Sequence, residues 1–67
     1  MSRAKLLIDE LIEKKAQGDA FQVSNVKMKL LFKGIIPDNI TDNTPDDDEL
    51  IAKIFEVAKN FNITLTK

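Results

Sequence analysis

The first part of the chain has the hydrophobic spacing of an amphipathic helix. Its apolar side chains recur three and four positions apart: Ala4, Leu7, Ile8, Leu11 and Ile12. This spacing places them on one face of a helix. Ser2 precedes the pattern as a candidate N-cap, and Gly18 follows it as a residue suited to the left-handed backbone of a helix end. The sequence therefore predicts a first helix from about Arg3 to Gln17.

The middle segment, residues 19–34, fits two alternative structures. As a helix it begins at Ser24 and ends at Gly34, and its inward face is formed by Val26, Leu30 and Leu31. As a strand, it carries apolar residues at alternate positions, Val26, Met28, Leu30 and Phe32, with lysines and Leu31 between them. Met, Leu and Lys have good intrinsic helix propensity, so we favour the helix.

The third helix has a strong start signal. Thr44 is a candidate N-cap, Pro45 suits the first helical position, and the carboxylates of residues 46–49 suit the positive end of the helix dipole. The apolar residues that follow have helical spacing: Leu50, Ile51, Ile54, Phe55, Ala58 and Phe61. Asn60 or Asn62 can end the helix in the left-handed conformation.

The connection before the third helix, residues 35–43, is rich in turn-forming residues. We expect its isoleucines, Ile35, Ile36 and Ile40, to pack on the core. The prediction for the whole chain, residues 1–67, is one all-α domain of three short helices packed as a small bundle. The alternative is an α+β arrangement in which residues 26–32 pair with residues 62–66, where apolar and polar side chains alternate.

Length and composition restrict the kind of protein this can be. A chain of 67 residues buries only about 60% of the surface that its unfolded form exposes, so its core is small. No apolar run approaches the roughly 20 residues that span a bilayer, and Asp9 and Glu10 interrupt the apolar stretch near the N-terminus. We therefore expect a cytoplasmic protein without a membrane partner.

The sequence offers little for catalysis. It contains no His, Cys or Tyr, the residue types that most often act as general bases or reactive nucleophiles. Its two glycines, Gly18 and Gly34, are isolated, so there is no phosphate-binding loop. We expect a protein that is not an enzyme and uses no cofactor.

The acidic residues resemble a calcium-binding loop only in part. Asp38, Asp42, Asp46 and Glu49 fall at positions 1, 5, 9 and 12 of an EF-hand loop. Ile40 and Asn43, however, occupy the positions that need a ligand and a glycine. The acids are explained more simply by a turn and a helix start, so we assign no metal site.

Three lysines of the middle segment form the best candidate surface for nucleic acid: Lys27, Lys29 and Lys33. Such side chains contact phosphates in helix-turn-helix regulators. Arg3 is the only arginine, Tyr and Trp are absent, and we expect the four phenylalanines to lie in the core. A nucleic-acid-binding regulator is therefore the second hypothesis, and a solvated lysine face is the favoured interpretation.

Three short helices have more apolar residues than one small core can take. The surplus set consists of Leu6, Met28, Phe32, Ile35 and Ile36, and we expect some of these residues to stay exposed or to enter an interface. Charge is also divided, with 7 basic and 4 acidic residues in 1–34 (+3) and 3 basic and 7 acidic in 35–67 (−4). These features favour a protein–protein interaction module, either a small adaptor or a self-associating domain such as a homodimer.

Overall fold

Helices form the regular structure of the computed structural model, which describes residues 2–67. The elements in chain order are α1 (Arg3–Ala16), α2 (Ala20–Phe32), a 3₁₀ turn (Pro37–Asn39) and α3 (Asp48–Asn60). The described residues contain no strand. The predicted all-α bundle is therefore confirmed, and the alternative pairing of residues 26–32 with residues 62–66 is wrong. None of the helices in residues 2–67 has the length and apolar character needed to cross a bilayer.

The core is organised around α1, which packs against both α2 and α3. Four of the five predicted apolar side chains of α1 are buried, Ala4, Leu7, Ile8 and Leu11, together with Ala16. The fifth, Ile12, is partly buried against the core. The other helices and the connection contribute a second set of buried side chains: Val26, Leu30, Ile35, Ile40, Ile54, Val57 and Ala58. The radius of gyration, 10.8 Å, is close to the ~11 Å expected for a compact chain of this length.

The start of α1 depends on a residue that is distant in the sequence. Ser2 is the N-cap, as predicted, because its hydroxyl oxygen accepts a hydrogen bond from the backbone N–H of Lys5 at 3.3 Å. The first turn of α1 contains no acidic residue. The carboxylate of Asp46 takes that place, since it accepts hydrogen bonds from the N–H of Ala4 at 3.2 Å and from the Ser2 hydroxyl at 3.5 Å. The loop before α3 is thereby tied to the N-terminus of α1.

α2 begins five positions earlier than predicted. Its N-cap is Asp19, whose carboxylate accepts a hydrogen bond from the N–H of Phe21 at 2.9 Å. The Ser24 N-cap is therefore wrong, because Ser24 lies inside the helix. The additional turn places Val23 against the core, three residues before the buried Val26, and this packing favours the longer helix.

α3 begins later than predicted. Its N-cap is Asp47, whose carboxylate accepts a hydrogen bond from the N–H of Glu49 at 2.9 Å. The Thr44 N-cap, with Pro45 as the first helical residue, is wrong. The Thr44 hydroxyl oxygen instead closes a turn by accepting a hydrogen bond from the N–H of Thr41 at 2.8 Å.

The end of α2 is a Schellman motif. Gly34 has φ 83°, the N–H of Gly34 donates to the carbonyl of Leu31 at 3.0 Å, and the N–H of Ile35 donates to the carbonyl of Leu30 at 2.9 Å. This motif brings the side chains of Ile35 and Leu30 together, and both are buried. The predicted stop at Gly34 is confirmed.

The end of α3 uses the same motif with asparagine in place of glycine. Asn62 has φ 59°, and the N–H of Ile63 donates to the carbonyl of Ala58 at 2.8 Å. Asn62, not Asn60, is therefore the left-handed residue. The first helix ends slightly earlier than predicted, since both Gln17 (φ 53°) and Gly18 (φ 80°) are left-handed.

The C-terminal segment, residues 63–67, lies antiparallel along α1. The ammonium group of Lys14 donates to the carbonyl of Thr64 at 2.7 Å, and the N–H of Thr66 donates to the carboxylate of Glu10 at 2.8 Å. Nearer the start of α1, Arg3 Nε donates to the carbonyl of Lys67 at 3.4 Å. The C-terminal segment, in which apolar and polar side chains alternate, therefore binds side chains of α1 and forms no strand.

Glu10 is the buried carboxylate that holds this segment. It is 7% exposed and also accepts hydrogen bonds from the Thr66 hydroxyl and from the N–H of Lys67. The Thr66 hydroxyl is the main cause that lowers the pKa of Glu10 from 4.5 to about 2; burial acts in the opposite direction, and the N–H groups of Thr66 and Lys67 and the ammonium of Lys14 lower it further. The carboxylate is therefore ionised at every pH above about 3.

Candidate functional site

α2 has two apolar faces, only one of which contacts the core. The inward face carries Val26 and Leu30, which are buried. Phe21, Met28 and Phe32 lie on the opposite side, because intervals of seven and eleven residues are close to two and three whole turns of a helix. The sequence of α2 therefore places a line of large apolar side chains away from the rest of the molecule.

The outward apolar side chains are strongly exposed. The exposed fractions are 73% for Phe21, 55% for Met28, 52% for Leu31 and 81% for Phe32. We call these four side chains the outer surface of α2. Together they expose apolar area on the order of 500 Å², at about 150–250 Å² for a whole aromatic side chain. A patch of roughly 300–600 Å² is the largest on a typical monomer and is often functional.

The structure separates the five residues of the predicted surplus set. Met28 and Phe32 belong to the outer surface of α2, and Ile36 is half-exposed just beyond the end of that helix. Leu6 is partly exposed on α1, beside the C-terminal segment. Ile35 is 1% exposed, because the Schellman motif turns it onto Leu30, and it offers no surface to a partner in this fold.

The four phenylalanines fall into two classes. A guanidinium carbon of Arg3 lies 5.7 Å from the ring centroid of Phe55, and the ammonium groups of Lys15 and Lys29 lie 5.5 and 5.9 Å from that of Phe61. Among residues 2–67, no such cation lies over the other two rings, Phe21 and Phe32. The expectation that all four lie in the core is wrong for these two and for Phe55, which is 38% exposed, whereas Phe61 is partly buried against the core.

Phe21 and Leu31 are the members of this surface that sequence reasoning missed. Leu31 was expected on the inward face, but it lies about 100° around the helix from Leu30. Phe21 falls before the predicted helix start, so its position on a face was not defined. The signal was present in the sequence: a helix beginning at Asp19 gives Phe21 and Met28 the same direction.

The three candidate nucleic-acid lysines do not form one surface. Lys27 and Lys29 are two residues apart and therefore point in different directions on α2. The ammonium of Lys27 also lies 3.4 Å from the carboxylate of Asp38. Lys33 is exposed at the C-terminal end of α2. Nucleic-acid binding stays a prediction that no feature of the described residues specifically favours.

The acidic residues of the calcium alternative have separate partners. Asp46 binds the start of α1, and Asp38 pairs with Lys27. Within residues 2–67, no three acidic or other metal-ligating side chains converge as a metal site. The fold thus gives Asp46 a structural role that its position in the sequence did not suggest.

Comparison with protein-family models, with curated protein sequences and with solved structures finds no match to this chain.

Proposed function

We propose that this chain is a non-enzymatic protein–protein interaction module that binds through the outer surface of α2. The observation that carries the proposal is the exposure of Phe21 and Phe32, at 73% and 81%. Burial of an aromatic side chain in an interface is a large favourable contribution, and aromatic anchors dominate many interfaces. Met28, which lies between them, adds a side chain that adapts to irregular contacts.

Folding does not account for these side chains. The core is completed by Val26 and Leu30 on the other side of α2, so outward polar residues would give the same inward packing. Phe is also a weaker helix former than Lys, Glu or Ala. Binding explains why a costly apolar face is present where an ordinary helix carries polar residues.

The charges around this surface suit an interface with a polar rim. No acidic side chain occurs within α2 itself, whereas Lys27 and Lys29 lie on its flanks and Lys33 follows its last residue. Lysines at the rim keep the apolar surface soluble and orient an approaching partner.

Site-specific photo-crosslinking in the native cell tests the proposal. A photoreactive phenylalanine analogue replaces Phe32 in one variant and Glu56, exposed on α3, in a matched control. We expect protein adducts from position 32 and few or none from position 56. Adducts with a second copy or with a different protein both support an interaction module. Equal adducts from both positions, or none from position 32, would contradict the proposal.

A further inference from the structure

We propose that the partner of the outer surface of α2 is a second copy of this chain, and that the two α2 helices pair antiparallel. The inference rests on the proposed function, because it names the occupant of the same surface. Three features of α2 carry it: the symmetric placement of its aromatic residues, the distribution of charge along it, and the area that it exposes.

The aromatic side chains are placed symmetrically about the middle of α2. Phe21 and Phe32 are the second and the last of the 13 residues of α2, so the point midway between them, between Val26 and Lys27, falls near the middle of the helix. The two residues are about 16 Å apart along the axis at 1.5 Å per residue. A second copy that runs antiparallel through this point brings each Phe32 opposite Phe21 of the other copy. Two-fold symmetry forms this contact between Phe21 and Phe32 twice, as in other isologous dimers. Aromatic pairs contribute more binding free energy than the area they bury accounts for.

The charges at the two ends of α2 favour the antiparallel orientation. Asp19 caps the N-terminal end, and Lys29 and Lys33 lie at the C-terminal end. Antiparallel pairing brings Lys33 to the level of Ala20 of the second copy, next to Asp19, and opposes the two helix dipoles. Parallel pairing would bring Lys33 to the level of its own equivalent. Lys27, near the symmetry axis, has its charge offset by Asp38 at 3.4 Å.

The exposed area predicts a weak dimer that depends on concentration. Two surfaces on the order of 500 Å² bury at most about 1,000 Å² in total, below the ~1,600 Å² of a standard interface and within the range of transient complexes. The outward face of α3 is not a comparable docking surface, because Asp48, Glu49 and Glu56 are exposed on it. A closed pair through α2 is therefore favoured over head-to-tail association of α2 with α3.

Sedimentation equilibrium of the full chain between roughly 10 µM and 1 mM tests self-pairing. We expect the mass to rise from monomer to dimer over this range. Phe32→Glu should weaken dimerisation by about 100-fold or more, because the buried charge occurs twice in the dimer. Ala52→Glu, which adds the same charge on the exposed face of α3, is the matched control and should leave dimerisation within a few-fold of wild type. Circular dichroism confirms that both variants are helical.

The orientation is tested by paramagnetic broadening between copies. The chain has no cysteine, so Gln22→Cys accepts a spin label at one position on α2 without changing a charge. The labelled copy is mixed with a copy that is enriched in ¹⁵N and carries no label. Antiparallel pairing predicts the strongest broadening at the amides of Leu31 and Phe32, and parallel pairing predicts it at Phe21.

The outcomes separate this inference from the proposed function. A monomeric mass at 1 mM, or broadening strongest at Phe21, overturns antiparallel self-pairing. If the chain is monomeric but position 32 crosslinks to a different protein in the cell, the interaction module stands and only the identity of the partner is wrong. If position 32 gives no adduct and the mass is monomeric, both fail.

Discussion

α2 and α3 have the same local design and opposite outer faces. Each has 13 residues and begins with an aspartate whose carboxylate accepts the N–H two residues later at 2.9 Å, Asp19 in one and Asp47 in the other. Each ends in a Schellman motif followed by isoleucine, Ile35 or Ile63. The signals that start and stop the two helices are thus equivalent, and they do not explain the difference in the residues between them.

The difference lies in what each helix presents to water. The outward face of α3 carries Asp48, Glu49 and Glu56, and the one aromatic residue of the helix, Phe55, lies beneath Arg3. The outer surface of α2 is apolar and has no cation over its rings within the described residues. Caps and inward packing are sufficient to make a helix, so the outward face is free to vary. The candidate binding surface therefore lies on α2, because the outward face of α2 differs from that of α3 although the two helices start and end alike.

The largest expected effect compares the two faces of α2 at adjacent positions. Leu30→Ala should lower the free energy of unfolding by about 2–5 kcal/mol, because Leu30 is fully buried and the substitution leaves a cavity. Leu31→Ala, one position further along, should cost less than about 1 kcal/mol, because half of that side chain is already in water. Urea unfolding at low protein concentration, followed by circular dichroism, measures both. Equal losses would show that the outer surface of α2 also supports the fold.

A smaller effect tests whether the two helices share their start signal. Asp19→Ala and Asp47→Ala should each cost about 1 kcal/mol, since each removes one side-chain cap. Ser24→Ala is the control, because Ser24 lies inside α2, and it should change stability by less than about 0.5 kcal/mol. Urea midpoints of the three variants provide the comparison. A loss of stability in Ser24→Ala as large as that in Asp19→Ala would indicate that α2 begins at Ser24.

The most localised effect concerns the segments that follow the two helices. The chain after α2 is anchored by buried Ile35 and Ile40, and the chain after α3 by the carboxylate of Glu10. The pKa of Glu10 is lowered from 4.5 to about 2, so its stabilisation is complete above about pH 5 and is lost as the pH falls from 4.5 through 2. The segment after α3 should therefore loosen as the pH falls through this range, whereas the buried anchors of the segment after α2, Ile35 and Ile40, carry no titrating group.

NMR titration of backbone amides checks this contrast. The amide of Thr66 should shift with a midpoint near the pKa of Glu10, about 2, while the amide of Ile40 should show no transition with that midpoint. In Glu10→Gln, which keeps a side-chain acceptor without the charge, the Thr66 transition should disappear. A Thr66 midpoint near 4.5 would mean that the hydrogen bonds to Glu10 do not form in solution.

The fold class and the core of α1 were predictable because both follow from the helical spacing of apolar residues in the sequence. The helix end at Gly34 was also predictable, and Asn62 was one of two candidates for the end of α3, since few residues take a positive φ. The start of α1 at Ser2 was predictable, but the starts of α2 and α3 were not. Several polar residues in each start region can serve as N-cap, and the choice depends on tertiary contacts, as when Asp46 binds α1 and leaves Asp47 to cap α3.

The candidate site was predictable only in part for the same reason. Met28 and Phe32 were recognised as surplus apolar residues, but the error in the start of α2 concealed Phe21. Ile35 was assigned to the same group because the sequence does not show that a Schellman motif turns it inward. Glu10 gave no signal at all, since its partners at Thr66 and Lys67 are more than 50 positions away. The cytoplasmic location expected from the sequence stays a prediction.

The most direct test of a contact through the outer surface of α2 is to follow the backbone amide shifts of the ¹⁵N-enriched chain as it is concentrated from roughly 10 µM to 1 mM. If two copies pair through the outer surface of α2, shifts and broadening should concentrate on α2, at Phe21, Met28, Leu31 and Phe32. The outward amides of α3 at Glu49 and Glu56 should stay unchanged. Shifts centred on α3, or equal shifts on both helices, would contradict the assignment of the contact to the outer surface of α2.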